Sequence, residues 1–325
     1  MKIGISVGDL NGIGLEIILK TFSNFTSFKN TTPIVFASKQ AVEDYQKKLR
    51  SSFRVNYIKS VEDAKEHNLN VLTIWDNVIS LQIGTPSKET GKHAVISFVK
   101  AVAFLKNNKI DALVTAPIDK KTIQSKYFYF PGHTDYLIKE LAGEGMMLLM
   151  TKTLRVGLVT DHLPIREVAT AITEDRIITK AVALDKCLKQ DFAIKKPKIA
   201  LLGLNPHCGD NGVIGTEDND IVSPAIAQLV QNGIAAFGPF PADSFFGSGN
   251  YKNYDAILAM YHDQGLTPFK TLSFGKGVNY TAGLNKVRTS PDHGTAYDIA
   301  GRNKADESSF KEAVLAAIEI VNNRK

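Results

Sequence analysis

Residues 154–162 read LRVGLVTDH, an apolar, β-branched run that ends directly on a histidine. The same construction returns at 198–207, KIALLGLNPH, and at 254–262, YDAILAMYH. Runs without polar alternation read as strands buried on both faces, and such strands belong to parallel sheets covered by helices. Working outward, KIGISVG (2–8), TPIVFAS (32–38), NVLTIWD (70–76) and DALVTAP (111–117) have the same character. Amphipathic helical stretches lie between several of them, at 88–108, 173–192 and 217–233, and a final helix reads SSFKEAVLAAIEIVNN at 308–323. Strands alternating with helices predict an α/β fold with a mainly parallel sheet.

A chain of 325 residues that is 44% hydrophobic can bury a large interior, and its length favours two lobes over one core. The pattern changes near YFYFPGHTDY (127–136). It changes again in 263–298, DQGLTPFKTLSFGKGVNYTAGLNKVRTSPDHGTAYD, which shows no helical period and predicts a long functional loop. The net charge of +6 comes from scattered lysines rather than blocks. Without zinc-finger spacing or an RNA-binding aromatic signature, that pattern reads as a solvated surface rather than a nucleic-acid groove, and a small anionic substrate would suit it equally well. Only Cys187 and Cys208 are present, which fits a reducing compartment, the cytoplasm by default. The expectation is a protein that is neither secreted nor embedded in a membrane, since no leader pattern or membrane-length apolar run is found.

Ligands in open α/β sheets collect beyond the carboxyl ends of strands. His162, His207 and His262 all sit there, and three imidazoles converging with an open position would make a catalytic metal site. Each could instead be an isolated polar residue at a strand end. Asp161 and Asp263 adjoin two of them and could orient the rings or cap a turn, while Cys208 reads as a bystander. His133, in PGHTDYL, opens a helix whose free N–H groups would favour phosphate, with Thr134 adding a hydroxyl; alternatively Thr134 or Asp135 simply caps that helix. His67 and His93 read as surface residues. In the long Gly-rich stretch, Lys270, Lys276, Asn279 and Arg288 could recognise an anion, and Arg288 suits a two-pronged contact. GDLNGIGLEIILK (8–20) invites comparison with a dinucleotide fingerprint, but the spacing does not match. Gly8, Gly12 and Gly14 could serve a phosphate, a tight turn or close packing.

The segments GDLNGIG, TAPIDK, PGHTDYL, TDHLP, LNPHCGDNG, GPFPADSFF, YHDQGLTPFK, GVNYTAGL and RTSPDHGTAYDIAG follow one another along nearly the full chain. In that order they resemble the 4-hydroxythreonine-4-phosphate dehydrogenase family. The first motif departs from the commoner form, with Asn11-Gly12 for Ala-Gly and Leu15 for Pro, but keeps its glycines. The resemblance implies a two-lobed α/β/α, isocitrate/isopropylmalate dehydrogenase-like fold with a cleft between lobes. The lobes would comprise residues 1–128 plus 289–325, with the nucleotide-binding loop, and 129–288, with the metal site and dimer interface.

By the same resemblance, His162, His207 and His262 would bind a divalent metal (zinc, magnesium or cobalt). His133, Thr134, Lys270, Asn279 and Arg288 would bind substrate. HGTAYDIAG, from His293, is similar to the superfamily's nucleotide loop. It implies that His293, Gly294, Thr295 and Ala296, with Gly12 and Gly14, face NAD or NADP. Asp243 and Asp263 are candidates for orienting or deprotonating the hydroxyl of a small phosphorylated hydroxy amino acid, and the oxidised product can lose carbon dioxide. The family implies a homodimer with its active site at the subunit interface, where His262 would serve the partner's metal. Rival readings are a paralogue oxidising 4-phosphothreonate or 4-phosphoerythronate, a phosphate acyltransferase of related fold, and a two-lobed binding protein, the last disfavoured by the missing export signal.

Overall fold

The structure, a computed structural model, describes residues 1–325, apart from the side chain of Glu144. The chain forms two compact units, one of Met1–Gly143 with Leu284–Asn322 and one of Glu144–Gly283 with Asn323–Lys325. This division falls later than 128/129 and earlier than 288/289, so α4 (His133–Glu140) and Arg288 belong to the first unit.

In chain order the first unit contains β1 (Lys2–Ser6), α1 (Gly14–Thr21), β2 (Thr32–Ala37), α2 (Lys39–Leu49), β3 (Val55–Ile58), β4 (Leu69–Thr73), α3 (Lys88–Lys106), β5 (Ala112–Thr115) and α4. After the second unit it resumes with β12 (Val287–Pro291) and α10 (Ser308–Asn323). Its strands run β3-β4-β2-β1-β5-β12, and every one of these pairings is parallel. β2 and β5 are buried at every residue, as unbroken apolar runs require. Helix α3 starts where the Ser87 hydroxyl accepts a hydrogen bond from the Thr90 amide at 3.1 Å. Its stripe of Ala94, Phe98, Ala101, Val102 and Leu105 follows the helical repeat and packs with Ile34, Phe36 and Leu113. Burying one such phenylalanine contributes roughly 2–3 kcal/mol.

His93 on the same helix is a correction. It is buried rather than on the surface, its Nδ1–H donates to the Glu89 carbonyl at 2.8 Å, and its ring lies 5.1 Å from that of Trp75.

The second unit contains β6 (Gly143–Met150), β7 (Arg155–Leu158), α5 (Ile165–Ala171), α6 (Glu174–Asp191), β8 (Lys198–Leu202), α7 (Ser223–Gln231), β9 (Ala235–Phe240), α8 (Ala242–Gly247), β10 (Ala256–Ala259), α9 (His262–Ser273) and β11 (Val278–Leu284). Its strand order is β11-β6-β7-β10-β8-β9, parallel from β7 to β9, with β6 antiparallel to β7. Thr173 caps α6 by accepting from the Arg176 amide, as its place before an apolar periodic run predicts. At the far end of α6 the buried Asp191 accepts from Tyr280 Oη at 2.7 Å and pairs with Arg324 Nε at 2.6 Å.

The expectation of a continuous loop over 263–298 is overturned by α9, β11 and β12. Gly265 and Pro268 disguise the helical period, yet Gly265 sits where α9 presses on the sheet. A Cβ there would lie 2.8 Å from Val156 Cγ1 and 2.9 Å from Ala259 Cβ. Among the described residues, no helix is long and apolar enough to cross a membrane.

Candidate active site

In the second unit, three strands deliver the three histidines. His162 follows β7 and is exposed, and His262 is the first residue of α9, directly after β10. Their ring centroids are 5.7 Å apart, beside a cavity of about 360 Å³ lined by both rings with Leu163, Ile165, Val168 and Tyr261. Asp263 Oδ1 lies 2.6 Å from His262 Nδ1. A carboxylate there holds the proton on Nδ1 and leaves Nε2 as the lone-pair nitrogen, the arrangement common behind metal-binding histidines. Asp161 plays no such part: its Oδ1 accepts from the backbone amide of His162 at 2.8 Å.

His207 is carried differently. It opens a left-handed turn in which His207, Cys208, Gly209, Asp210 and Asn211 have φ of 53°, 54°, 79°, 44° and 55°. Each non-glycine residue in that conformation costs about 1–2 kcal/mol. The buried Asp218 anchors the loop below it by accepting from the Leu204 amide at 2.7 Å and the Asn205 amide at 3.0 Å. Gly203 is required nearby, because a Cβ would sit 2.7 Å from Cys208 Sγ. Burial, with Asp218 adding to it, pushes the Cys208 thiol up to about 11, so it is no thiolate near neutrality. Asp243 is exposed in the first turn of α8 and also acts on the Cys208 thiol.

One chain therefore brings His162 and His262 together and keeps His207 apart. Among the described residues, no group of three or more His, Cys, Asp or Glu side chains is arranged to hold a metal ion. Sheet order does not decide this, because β10 adjoins both β7 and β8; what sets His207 off is the left-handed turn that the chain makes there, beyond β8. The paired imidazoles fit a divalent ion in donor type, with a third nitrogen to come from outside this pair. Lys270 and Lys276 are exposed, in the last turn of α9 and just after it, and Asn279 is half-buried on β11.

In the first unit, Arg288 on β12 is 2% exposed and donates to Thr115 Oγ1 at 3.2 Å and to His133 Nδ1 at 3.0 Å. Burial lowers the Arg288 pKa to about 9. A guanidinium only donates, so Nδ1 of His133 must accept and its proton sits on Nε2. Burial and the Arg288 charge hold His133 well below the ordinary imidazole range. Its Nε2 is buried without a partner, a donor at the start of α4. The N-cap of that helix is Gly132, with no side-chain bond, so neither Thr134 nor Asp135 caps it, and Thr134 is half-buried in the same turn.

The Gly-rich turn after β1 packs on the 293–301 segment. The Ile13 amide donates to the Thr295 carbonyl at 3.0 Å, and a Cβ on Gly12 would lie 2.9 Å from that oxygen. Gly14 admits the Val7 carbonyl, 2.3 Å from where its Cβ would be. Buried Glu16 accepts from the amides of Gly301 at 3.2 Å and Ala305 at 2.9 Å, and buried Asp9 accepts from Tyr297 Oη at 2.9 Å. Space is open at Gly294, Ala296 is left-handed with φ 42°, and His293 Nε2 is buried without a partner. His293 Nδ1–H is spent on the Gly294 carbonyl at 3.0 Å, so Nε2 is an unmet acceptor, and a restrained loop with that acceptor fits a nucleotide cofactor that brings a hydroxyl or amide donor. Sequence reasoning missed Thr115, Asp9, Glu16 and Asp218, buried polar residues whose partners include groups distant in sequence; the only local signal was their place beside strand ends and glycines.

A mainly parallel sheet with polar groups gathered past its strand ends places the protein among the open-sheet α/β enzymes. Comparison with known proteins is more specific. The chain belongs to the family described as pyridoxal phosphate biosynthetic protein PdxA, whose model matches residues 29–317. It is 47% identical to a 4-hydroxythreonine-4-phosphate dehydrogenase from Bacteroides thetaiotaomicron, over 100% of this chain and 90% of that one. The corresponding enzyme of a Sulfurihydrogenibium species is 43% identical, over 100% of both chains. A crystal structure of 4-hydroxythreonine-4-phosphate dehydrogenase from Klebsiella pneumoniae superposes with a TM-score of 0.84 at 31% identity, covering 98% of this chain and 99% of that one. The motif resemblance and the α/β class are thus borne out.

Proposed function

We propose that this protein oxidises the C3 hydroxyl of 4-phosphooxy-L-threonine with NAD or NADP. The product, 2-amino-3-oxo-4-phosphooxybutanoate, loses carbon dioxide to give 3-amino-2-oxopropyl phosphate on the route to pyridoxal phosphate. The observation that carries the reading is the unpartnered His133 Nε2 beside the buried Arg288 guanidinium at the start of α4. A phosphate dianion there would accept from Nε2–H, from Arg288 and from free amides of α4, with the Thr134 hydroxyl in the same turn. Fixing the phosphate fixes the C3 hydrogen, and positioning of this kind can supply several kcal/mol of a barrier. Lys270 and Asn279 are further substrate contacts by family resemblance.

The pairing of His162 with His262 in one chain departs from the expectation that His262 would serve the partner's metal: on this reading the two would be ligands to one divalent zinc, magnesium or cobalt ion, and His207 of a second copy would be the third. Such an ion supplies Lewis-acid polarisation of the hydroxyl, and NAD or NADP takes the hydride. Exposed apolar side chains near two of the histidines in sequence, Ile165 at 74% and Val213 at 80%, favour a homodimer. Asp263 is committed to His262 Nδ1, which makes it a ring-orienting group rather than the base; Asp243 is held as a candidate by resemblance alone. His293, Gly294, Thr295 and Ala296, against Gly12 and Gly14, would face the cofactor.

Formation of reduced nicotinamide from 4-phosphooxy-L-threonine tests the reading, before chelation, after it, and after zinc or magnesium is restored. Turnover lost with chelator and regained with metal is the expected result. Turnover only with a phosphorylated threonate or erythronate would keep the anion pocket and reassign the substrate.

A further inference from the structure

Beneath the three histidines lies a chain of hydrogen bonds that joins the strands delivering them. Thr160, at the end of the β7 run and 1% exposed, donates its hydroxyl to the Met260 carbonyl at 2.7 Å. The Thr160 amide meets the same oxygen at 3.1 Å. The Met260 amide donates to Gln264 Oε1 at 2.7 Å, and Gln264 Nε2 donates to the Gly203 carbonyl at 2.6 Å. Thr160 lies two residues before His162, Met260 two before His262, and Gly203 four before His207.

The placement of Gln264 follows from the sheet register. β10 and β8 pair Ala256 with Ile199, Ile257 with Ala200 and Leu258 with Leu201, and the same offset sets Met260 opposite Gly203. At that level one side-chain amide takes both roles of a peptide group: its oxygen accepts from one strand end and its nitrogen donates to the other. It comes from α9, which starts at His262 and is pressed onto β7 and β10 through Gly265.

We propose that Gln264, together with Thr160, is a positioning residue that fixes where each histidine-bearing strand end sits within its own chain and so tunes the metal sites that those histidines join, whichever copy supplies each. The proposal rests on the reading of His162, His207 and His262 as ligands. Neither residue touches the ion. Removing a bond of the chain should let one strand end relax against the next, and an error of a few tenths of an ångström at the strand is passed on to the ring nitrogen. Loss of groups that orient ligands from behind typically costs about 10- to 100-fold in metal affinity.

The test is cobalt(II) titration of chelator-stripped full-length protein, read by the visible ligand-field bands, with thermal unfolding of the metal-free protein alongside. Gln264→Glu keeps the acceptor for Met260 and replaces the donor to Gly203. Thr160→Val removes the hydroxyl at constant shape, and Thr160→Ser restores it. Gln264→Glu and Thr160→Val are expected to weaken cobalt binding by about 10-fold or more and to shift the bands, while Thr160→Ser returns the wild-type spectrum. Lower unfolding temperatures with wild-type affinity and spectrum in both variants would overturn the proposal and leave a merely structural role. Failure of the wild-type protein to bind cobalt with a ligand-field spectrum would overturn the ligand assignment itself, and the clamp with it.

Discussion

Arg288 and His133 make the sharpest residue-scale claim, because a guanidinium and a neutral imidazole share one buried edge. Arg288→Met should raise KM for the phosphorylated substrate by about 10- to 100-fold, the loss expected for hydrogen bonds to a charged group. Arg288→Lys should recover little, since a point charge cannot reproduce the fork that also holds Thr115 and His133. Steady-state kinetics and protection by inorganic phosphate against thermal unfolding would report both. His133 has its folded pKa depressed by burial and by Arg288, so below the unfolded value of about 6.5 the unfolded chain binds a proton that the folded one refuses. Stability attributable to this residue is full above that value and falls as the pH drops through it, by up to about 1.4 kcal/mol per pH unit. His133→Gln should flatten that part of a urea-unfolding profile between pH 7 and pH 5; an unchanged slope would refute the assignment. The sequence placed His133 at a helix start and Arg288 among anion-binding candidates. It could not show that they share a proton ladder, because β12 returns to β5 only after the whole second unit has intervened.

At the scale of elements, α9 shows why part of the fold was illegible. Residues 173–192 gave a clean helical period and fold as α6, whereas 263–273 carry Gly265 and Pro268 and still fold as a helix. The glycine that looks like a breaker is what lets the helix backbone rest on β7 and β10. Gly265→Ala should therefore destabilise by about 1–3 kcal/mol, the usual cost of overpacking, despite alanine's better helix propensity. Denaturant unfolding would detect it, and a stabilising effect would show that the contact is slack. The Asp191–Arg324 pair makes an independent claim. Arg324→Met leaves a buried carboxylate with Tyr280 as its charge-free partner and should cost about 3–5 kcal/mol, whereas changing both residues to apolar ones should cost less.

For the whole molecule, the separation of His207 from the His162–His262 pair turns a geometric fact into a complementation test. If the third ligand comes from a second copy, His162→Ala and His207→Ala chains are each inactive alone. Half of randomly formed mixed dimers would contain one of each, and every such dimer would retain one intact site. Mixing the two should restore about one quarter of wild-type turnover. No restoration, in mixtures shown by sedimentation to have exchanged subunits, would overturn the assignment of His207 to the second copy and place His162 and His207 at the same site of one chain. The alternation of apolar runs with helical stretches made the α/β class legible from sequence, and three runs that end on histidine made His162, His207 and His262 candidates. Which histidines of one chain meet was not legible, since the left-handed turn that opens at His207 leaves no period or motif that spacing could reveal.

The nesting of one unit inside the other also bears on how the protein is made. β5 has β1 as one neighbour from the start of synthesis, but its other neighbour, β12, is translated only after the entire inserted unit. Until then a strand destined for full burial presents an open edge, the kind of template on which foreign strands add. Arg324 likewise reaches Asp191 from 133 residues downstream, so the carboxylate waits through most of that interval without its cation. A nascent chain with two such unfinished seams is a natural client for chaperones, and slow or interrupted translation after residue 143 is the stage at which yield should be most easily lost.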